Sequence, residues 1–146
     1  MTHDEIRRFL ERYLHAWERQ DIDALIDCYT PDAEIVSPMF HTKRGESEIE
    51  ASFQDVFKIF GDVSMQIDDV VIDTQPEAGE VRAVLIMTSH ATHRGEIFGL
   101  AGSGRRVETQ MMFAFRFAGD RIASERRLYD FTGVLVQLGV LKAKHV

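Results

Sequence analysis

From Val107 to Phe117 the residues Val107, Thr109, Met111, Phe113, Phe115 and Phe117 fall on one parity, while Glu108, Gln110 and Arg116 fall on the other. A period of two is the mark of a strand with one face in a core; a helix would scatter these side chains around its circumference. Such a strand needs partners. Ala118-Gly119-Asp120 turns tightly into a second strand-like stretch, Arg121 to Phe131. Upstream, Val81, Ala83, Leu85 and Met87 alternate, with Val84 and Ile86 apolar on the opposite parity, and Val63, Met65 and Ile67 alternate before Val70 to Ile72. Gln75 to Glu80, with Pro76 and Gly79, supplies a turn. Long neighbouring strands joined by short turns predict an antiparallel sheet. Because both strand faces are partly apolar, one side is expected to hold helices and the other to bury against a second subunit, giving a homodimer.

The first third has helical spacing instead. Thr2 with Glu5 forms a capping-box signature, after which Ile6, Phe9, Leu10, Tyr13, Leu14 and Trp17 define one face. Asp21 can cap a second helix carrying Ile22, Leu25, Ile26 and Tyr29, broken at Thr30-Pro31-Asp32; Ala33 to Ser37 reads as a strand stopped by Pro38. Ser47 and Glu50 repeat the capping box ahead of a third helix with Ile49, Phe53, Val56, Phe57 and Phe60, ending at Gly61. Helices first and strands later predict an α+β domain. With 146 residues and no linker-like segment, the chain is read as one domain, residues 1–146.

A formal charge of −7 argues against binding nucleic acid through phosphates. No apolar run reaches the length of a membrane span, and the polar start Met-Thr-His-Asp-Glu is unlike a signal peptide. The expectation is a cytoplasmic protein without a membrane partner. Its one cysteine, Cys28, reads as a small buried hydrophobe. His90 and His93 suggest a metal pair by spacing, but an offset of three on a strand puts them on opposite faces; no metal is expected. Gly99, Gly102 and Gly104 open no helix and so lack a phosphate-loop context; they are read as turn residues with positive φ.

The segment from Ile122 to Leu138 carries the chemistry. A strand from Ile122 to Phe131 and a short apolar helix from Val134 to Leu138 would join at Asp130. An aspartate there either caps the helix or points into a cavity, where lost hydration raises its basicity. On an unbulged strand Asp130 shares its face with Leu128, Arg126, Ser124 and Ile122. Arg126 would then either stabilise developing negative charge near Asp130 or sit on the surface. Met111, Met112, Phe113, Phe115 and Phe117 fit either a ligand wall or plain core packing.

Several ordered motifs resemble a known family: Thr92-His93-Arg94-Gly95-Glu96-Ile97-Phe98-Gly99, Gly104-Arg105-Arg106-Val107, Asp120-Arg121-Ile122, Tyr129-Asp130 and Gln137-Leu138-Gly139. Over about residues 90 to 141, and more weakly from Trp17 to Gly45, the chain resembles the SnoaL-like polyketide cyclases, or ester cyclases, of the nuclear transport factor 2-like superfamily. The resemblance implies a cone of three N-terminal helices on a curved antiparallel sheet with an internal pocket. It implies cofactor-free acid/base catalysis on a small hydrophobic carbonyl compound such as a polyketide, by aldol-type cyclisation or isomerisation, with Asp130 as the acid/base. The expected substrate-binding residues are Tyr13, Trp17, His93, Met111, Phe113 and Arg126. His93 would sit at the pocket mouth or in the following turn.

Two relatives offer rival chemistries. Arg12-Tyr13-Leu14 and Asp32 to Pro38 resemble ketosteroid isomerase, with Tyr13 at its oxyanion position; Ser37 stands where its base aspartate would be. A limonene-epoxide-hydrolase-like reaction needs an Asp–Arg–Asp set, of which a second aspartate is missing. A non-catalytic pocket for a small apolar ligand remains the alternative outside enzymology; a void of several hundred Å³ would suit such a ligand.

Overall fold

The computed structural model describes residues 1–75 and 79–142. Helix α1 (His3–Arg19) begins where the sequence signals: the Glu5 N–H donates to Thr2 Oγ1, and the Thr2 N–H donates to Glu5 Oε2 at 2.7 Å. It ends at Gln20, which adopts a left-handed conformation with φ 55°. Asp21 caps α2 (Ile22–Ile26) through the Ala24 N–H. The chain then extends earlier than expected, and β1 runs Tyr29–Ser37 straight through Pro31. Proline is tolerated because pairing there is interrupted: the register with its neighbour shifts between Tyr29 and Glu34.

A short strand β2 (His41–Arg44), unanticipated by the apolar pattern, pairs antiparallel with β1. Helix α3 (Gly45–Ile59) starts ahead of the predicted Ser47/Glu50 capping box. The box does not form; Glu48 instead reaches back to accept the Arg44 N–H at 2.7 Å. Strands β3 (Phe60–Asp73), β4 (Val81–His93), β5 (Arg106–Ala118) and β6 (Arg121–Tyr129) follow, then α4 (Phe131–Gln137). The turn read at Gln75–Glu80 lies partly outside the described residues.

The six strands form one curved, unclosed sheet in the order β2-β1-β6-β5-β4-β3. The meander from β3 to β6 is antiparallel as expected, but β1 joins β6 in parallel, so the sheet is mixed. Extra residues bend the long strands: one between Gly61 and Ser64 and another at Asp68 in β3, and Ala123 in β6 opposite the Arg116–Phe117 step of β5. Helices α1 and α3 cover one sheet face, and the core between them holds Ile6, Leu10, Tyr13, Leu25, Ile35, Ile49, Phe53, Leu85, Met87, Phe113 and Phe115. A smaller cluster, Ile97, Val107, Val134 and Leu138, docks α4 against β5. No described helix is long and apolar enough to cross a membrane.

Candidate functional site

The parity of β6 decides which side chains enter the interior. The turn at Ala118 to Asp120 pairs Phe117 with Ile122, so a regular strand would send even-numbered residues inward. The extra residue at Ala123 reverses this, and from Arg116↔Ser124 onward the odd-numbered residues face the core. Glu125 and Arg127 are therefore buried, while Arg126, Leu128 and Asp130 are exposed. The expectation that Arg126 stands beside an inward Asp130 in the pocket is corrected accordingly.

Buried carboxylates and guanidinium groups require partners. Glu125, 1% exposed, receives the hydroxyls of Tyr13 (2.7 Å) and Tyr29 (2.8 Å) on Oε1, and the Arg127 Nε–H on Oε2 at 2.5 Å. The Arg127 guanidinium lies over the rings of Trp17, Phe113 and Phe53 at 5.0, 5.2 and 5.4 Å from their centroids. Burial, then the Glu125 charge, holds both tyrosines far above their usual ionisation range, so they act as neutral donors. Burial opposes the charge on Arg127, but Glu125 and the tyrosine oxygens outweigh it and hold the guanidinium protonated. Tyr13, expected as a donor to a substrate carbonyl, is fully buried and spends its hydroxyl on Glu125.

Above this network lies an apolar cavity of about 90 Å³. Trp17, Phe57, Phe60, Met65, Met111 and Phe113 wall it, and Met39, Phe40, Phe131 and Val134 also contribute. Its polar edges are Ser89, Thr109, Arg127 and Tyr129. Ser89 and Thr109 face one another across β4 and β5, as do Phe113 and Arg127 across β5 and β6. The Tyr129 hydroxyl accepts the Met39 N–H at 3.2 Å, and burial raises its pKa. Trp17, Met111 and Phe113, three of the expected substrate-binding residues, are thus among those that line the cavity. The volume is smaller than the several hundred Å³ of a typical ligand site, so a full ring system fits only if side chains move.

Two polar groups of the lining have no hydrogen-bond partner: Arg127 Nη2 and Trp17 Nε1. The indole N–H approaches the Tyr13 oxygen and favours its ionised form, but outside hydrogen-bonding geometry. An unpaired buried donor costs about 1–3 kcal/mol, more when charged. Both orphans are donors. The indole N–H is directed at Tyr13, so Arg127 Nη2 is the unspent donor of the lining, and an acceptor oxygen would satisfy it.

Asp130 takes the helix-capping alternative. It is exposed, and its Oδ1 accepts the Gly133 N–H at 2.8 Å at the start of α4. Gly133 accommodates this because a Cβ there would stand 2.3 Å from Asp130 Oδ2. Its chain neighbours Tyr129 and Phe131 line the cavity, whereas Asp130 itself lies on the other sheet face beside Met112 and Leu128. His93 is buried away from the cavity lining; its Nδ1 lies 2.8 Å from Ser103 Oγ and accepts the Ser103 N–H, organising the turn. That is the second of its two expected places. His90 is half-exposed on the other face, 3.7 Å from Glu108. Gly99 and Gly104 have positive φ as expected, whereas Gly102 serves close approach, since a Cβ there would stand 2.0 Å from the Arg94 carbonyl oxygen. Glu125 and Arg127 escaped sequence reading because a bulge leaves no compositional trace; the available signal was the pair of inward tyrosines, each needing an acceptor.

Helices covering one face of a curved, unclosed sheet, with an apolar cavity between the layers, define a nuclear transport factor 2-like α+β protein. The family model for SnoaL-like polyketide cyclases matches residues 7–138, and the chain belongs to that family. Among solved structures it is similar to TsrD from Streptomyces laurentii, with 25% identity, TM-score 0.81, and coverage of 97% of this chain and 99% of that one. It is similar to AclR from Streptomyces galilaeus, described as a candidate hydroxylase, with 22% identity, TM-score 0.80, and coverage of 99% and 87%. A candidate SnoaL-like polyketide cyclase from Shewanella denitrificans OS-217 shares 20% identity with TM-score 0.78, covering 96% and 100%. No curated protein matches the chain in sequence.

Proposed function

We propose that this chain catalyses acid/base chemistry on a small hydrophobic carbonyl compound, removing a proton next to the carbonyl as the first step of an aldol-type ring closure or an isomerisation. The observation that carries this reading is the apolar cavity whose polar edge includes Arg127 and Tyr129 of β6, the strand that ends one residue before Asp130. Family membership supports the same reaction class. In the resting structure the Asp130 carboxylate lies outside the cavity lining, on the sheet face that carries Met112 and Leu128. A substrate reaching outward between Tyr129 and Phe131 meets it there, or the carboxylate releases the Gly133 N–H and turns in. Either route gives the proton a carrier that water can recharge. Serine at position 37 leaves no base where a ketosteroid isomerase carries one.

A second reading is favoured by one specific observation, the exposed capping position of Asp130. In it the cavity binds a ligand and no reaction occurs. Exchange of the methyl protons of acetophenone for deuterium, followed by NMR in heavy water, separates the two. The catalytic reading predicts exchange above the buffer rate in the native protein and its loss in D130N, with acetophenone still bound. Asparagine caps as well as aspartate, so folding is preserved. Exchange at the native rate in D130N would remove Asp130 from the mechanism, and no exchange in either would leave the binding reading.

A further inference from the structure

We infer that Arg127 is the ligand-orienting residue of the cavity, and that it selects an uncharged carbonyl oxygen that enters first, ahead of a flat apolar body. The inference rests on the cavity being the carbonyl-compound site proposed above and names the class of molecule it takes. Three observations converge on it.

The guanidinium cannot fork onto Glu125, because Tyr13 and Tyr29 already occupy Oε1 and leave only Oε2 for the Nε–H. Three aromatic rings lock its plane, so Nη2 cannot rotate to find another acceptor. Nη2 is left without a partner in a side chain that is only 7% exposed and lines the cavity.

The charge balance selects among acceptors. Glu125 neutralises Arg127, and Tyr13 and Tyr29 stay protonated, so the cavity floor offers donors without net positive charge. A permanent anion would lose its hydration to meet a guanidinium already paired with a carboxylate. A neutral carbonyl loses less and gains as its oxygen becomes enolate-like, when the fixed donor strengthens. The remaining lining, Phe57, Phe60, Phe113 and Met111, is the surface a flat apolar body would contact.

The test titrates the full chain with acetophenone, with α-methylstyrene, which replaces the oxygen by CH₂ at nearly the same shape, and with benzoate. Heteronuclear NMR of the Arg127 guanidinium reports the contact directly. The native protein is expected to bind acetophenone at least about tenfold more tightly than α-methylstyrene, and more tightly than benzoate, with a shift of the Arg127 resonances on ketone binding alone. In E125Q/R127M, where both charges are removed together so that neither is stranded, the two neutral probes are expected to bind equally. Equal affinity in the native protein would overturn the role of Arg127 while leaving an apolar site standing. Tighter benzoate would overturn the selection of a neutral oxygen. Failure of all three probes to bind would remove the cavity reading itself.

Discussion

Asp130 shows how one side chain can satisfy a local rule and still stand next to chemistry. Its hydrogen bond to the Gly133 N–H settles an orphan donor of α4, a bond with a definite energetic signature. Replacing it with alanine should lower stability by about 1 kcal/mol, measured by urea unfolding, whereas asparagine should cost a few tenths at most. Equal losses in both variants would contradict the capping geometry. Cys28 makes a second residue-scale case. Burial first, and then the Glu125 charge, pushes its thiol up to about 11, and its Sγ–H donates to the Ala24 carbonyl at 3.3 Å. Iodoacetamide should therefore label it slowly at about pH 8.5, where an ordinary thiol is half ionised. Labelling should accelerate only as the pH approaches 11; rapid labelling at the lower pH would show that the thiol is not shielded.

At the scale of elements, β6 is where sequence and fold part company. The start and the buried face of the first helix were legible, because its capping box and its apolar spacing are local signals. The alternation of β5 was equally plain, since Phe113, Phe115 and Phe117 do enter the core. The face of β6 was not, because one extra residue at Ala123 exchanges inside for outside and no pattern of apolarity announces it. The parallel pairing of β1 with β6 was hidden for a related reason: it joins segments far apart in the chain, and periodicity speaks only of neighbours. The ion pair on β6 gives a quantitative check. R127M alone strands Glu125 in the core and should destabilise by about 3–5 kcal/mol, while E125Q/R127M should recover a substantial part of that loss. Denaturant midpoints of the two single variants and the double variant measure the coupling; additive losses would mean that the pair is not electrostatically linked.

For the whole molecule, the sheet has one face committed to α1 and α3 and another left open. On the open face Val71, Met112 and Leu128 are 57%, 50% and 59% exposed, with Val84 and Ile86 half-buried among them. An apolar surface of this kind on a sheet whose other side is already a core calls for a partner, and a second copy of the chain is the expected one. Sedimentation equilibrium should give the mass of two chains for the native protein and of one for M112E/L128K; a native monomer at all accessible concentrations would contradict it. On the inner face, the bulge in β6 turns Arg127 into a fixed donor at the floor of an apolar cavity. A crystal structure of the protein soaked in acetophenone would reveal whether a ketone uses that donor. The ketone oxygen is expected about 3 Å from Arg127 Nη2, with the ring among Phe57, Phe60 and Phe113. A ketone lying in the cavity with its oxygen turned away from Arg127, or seated on the outer face beside Asp130, would contradict that placement.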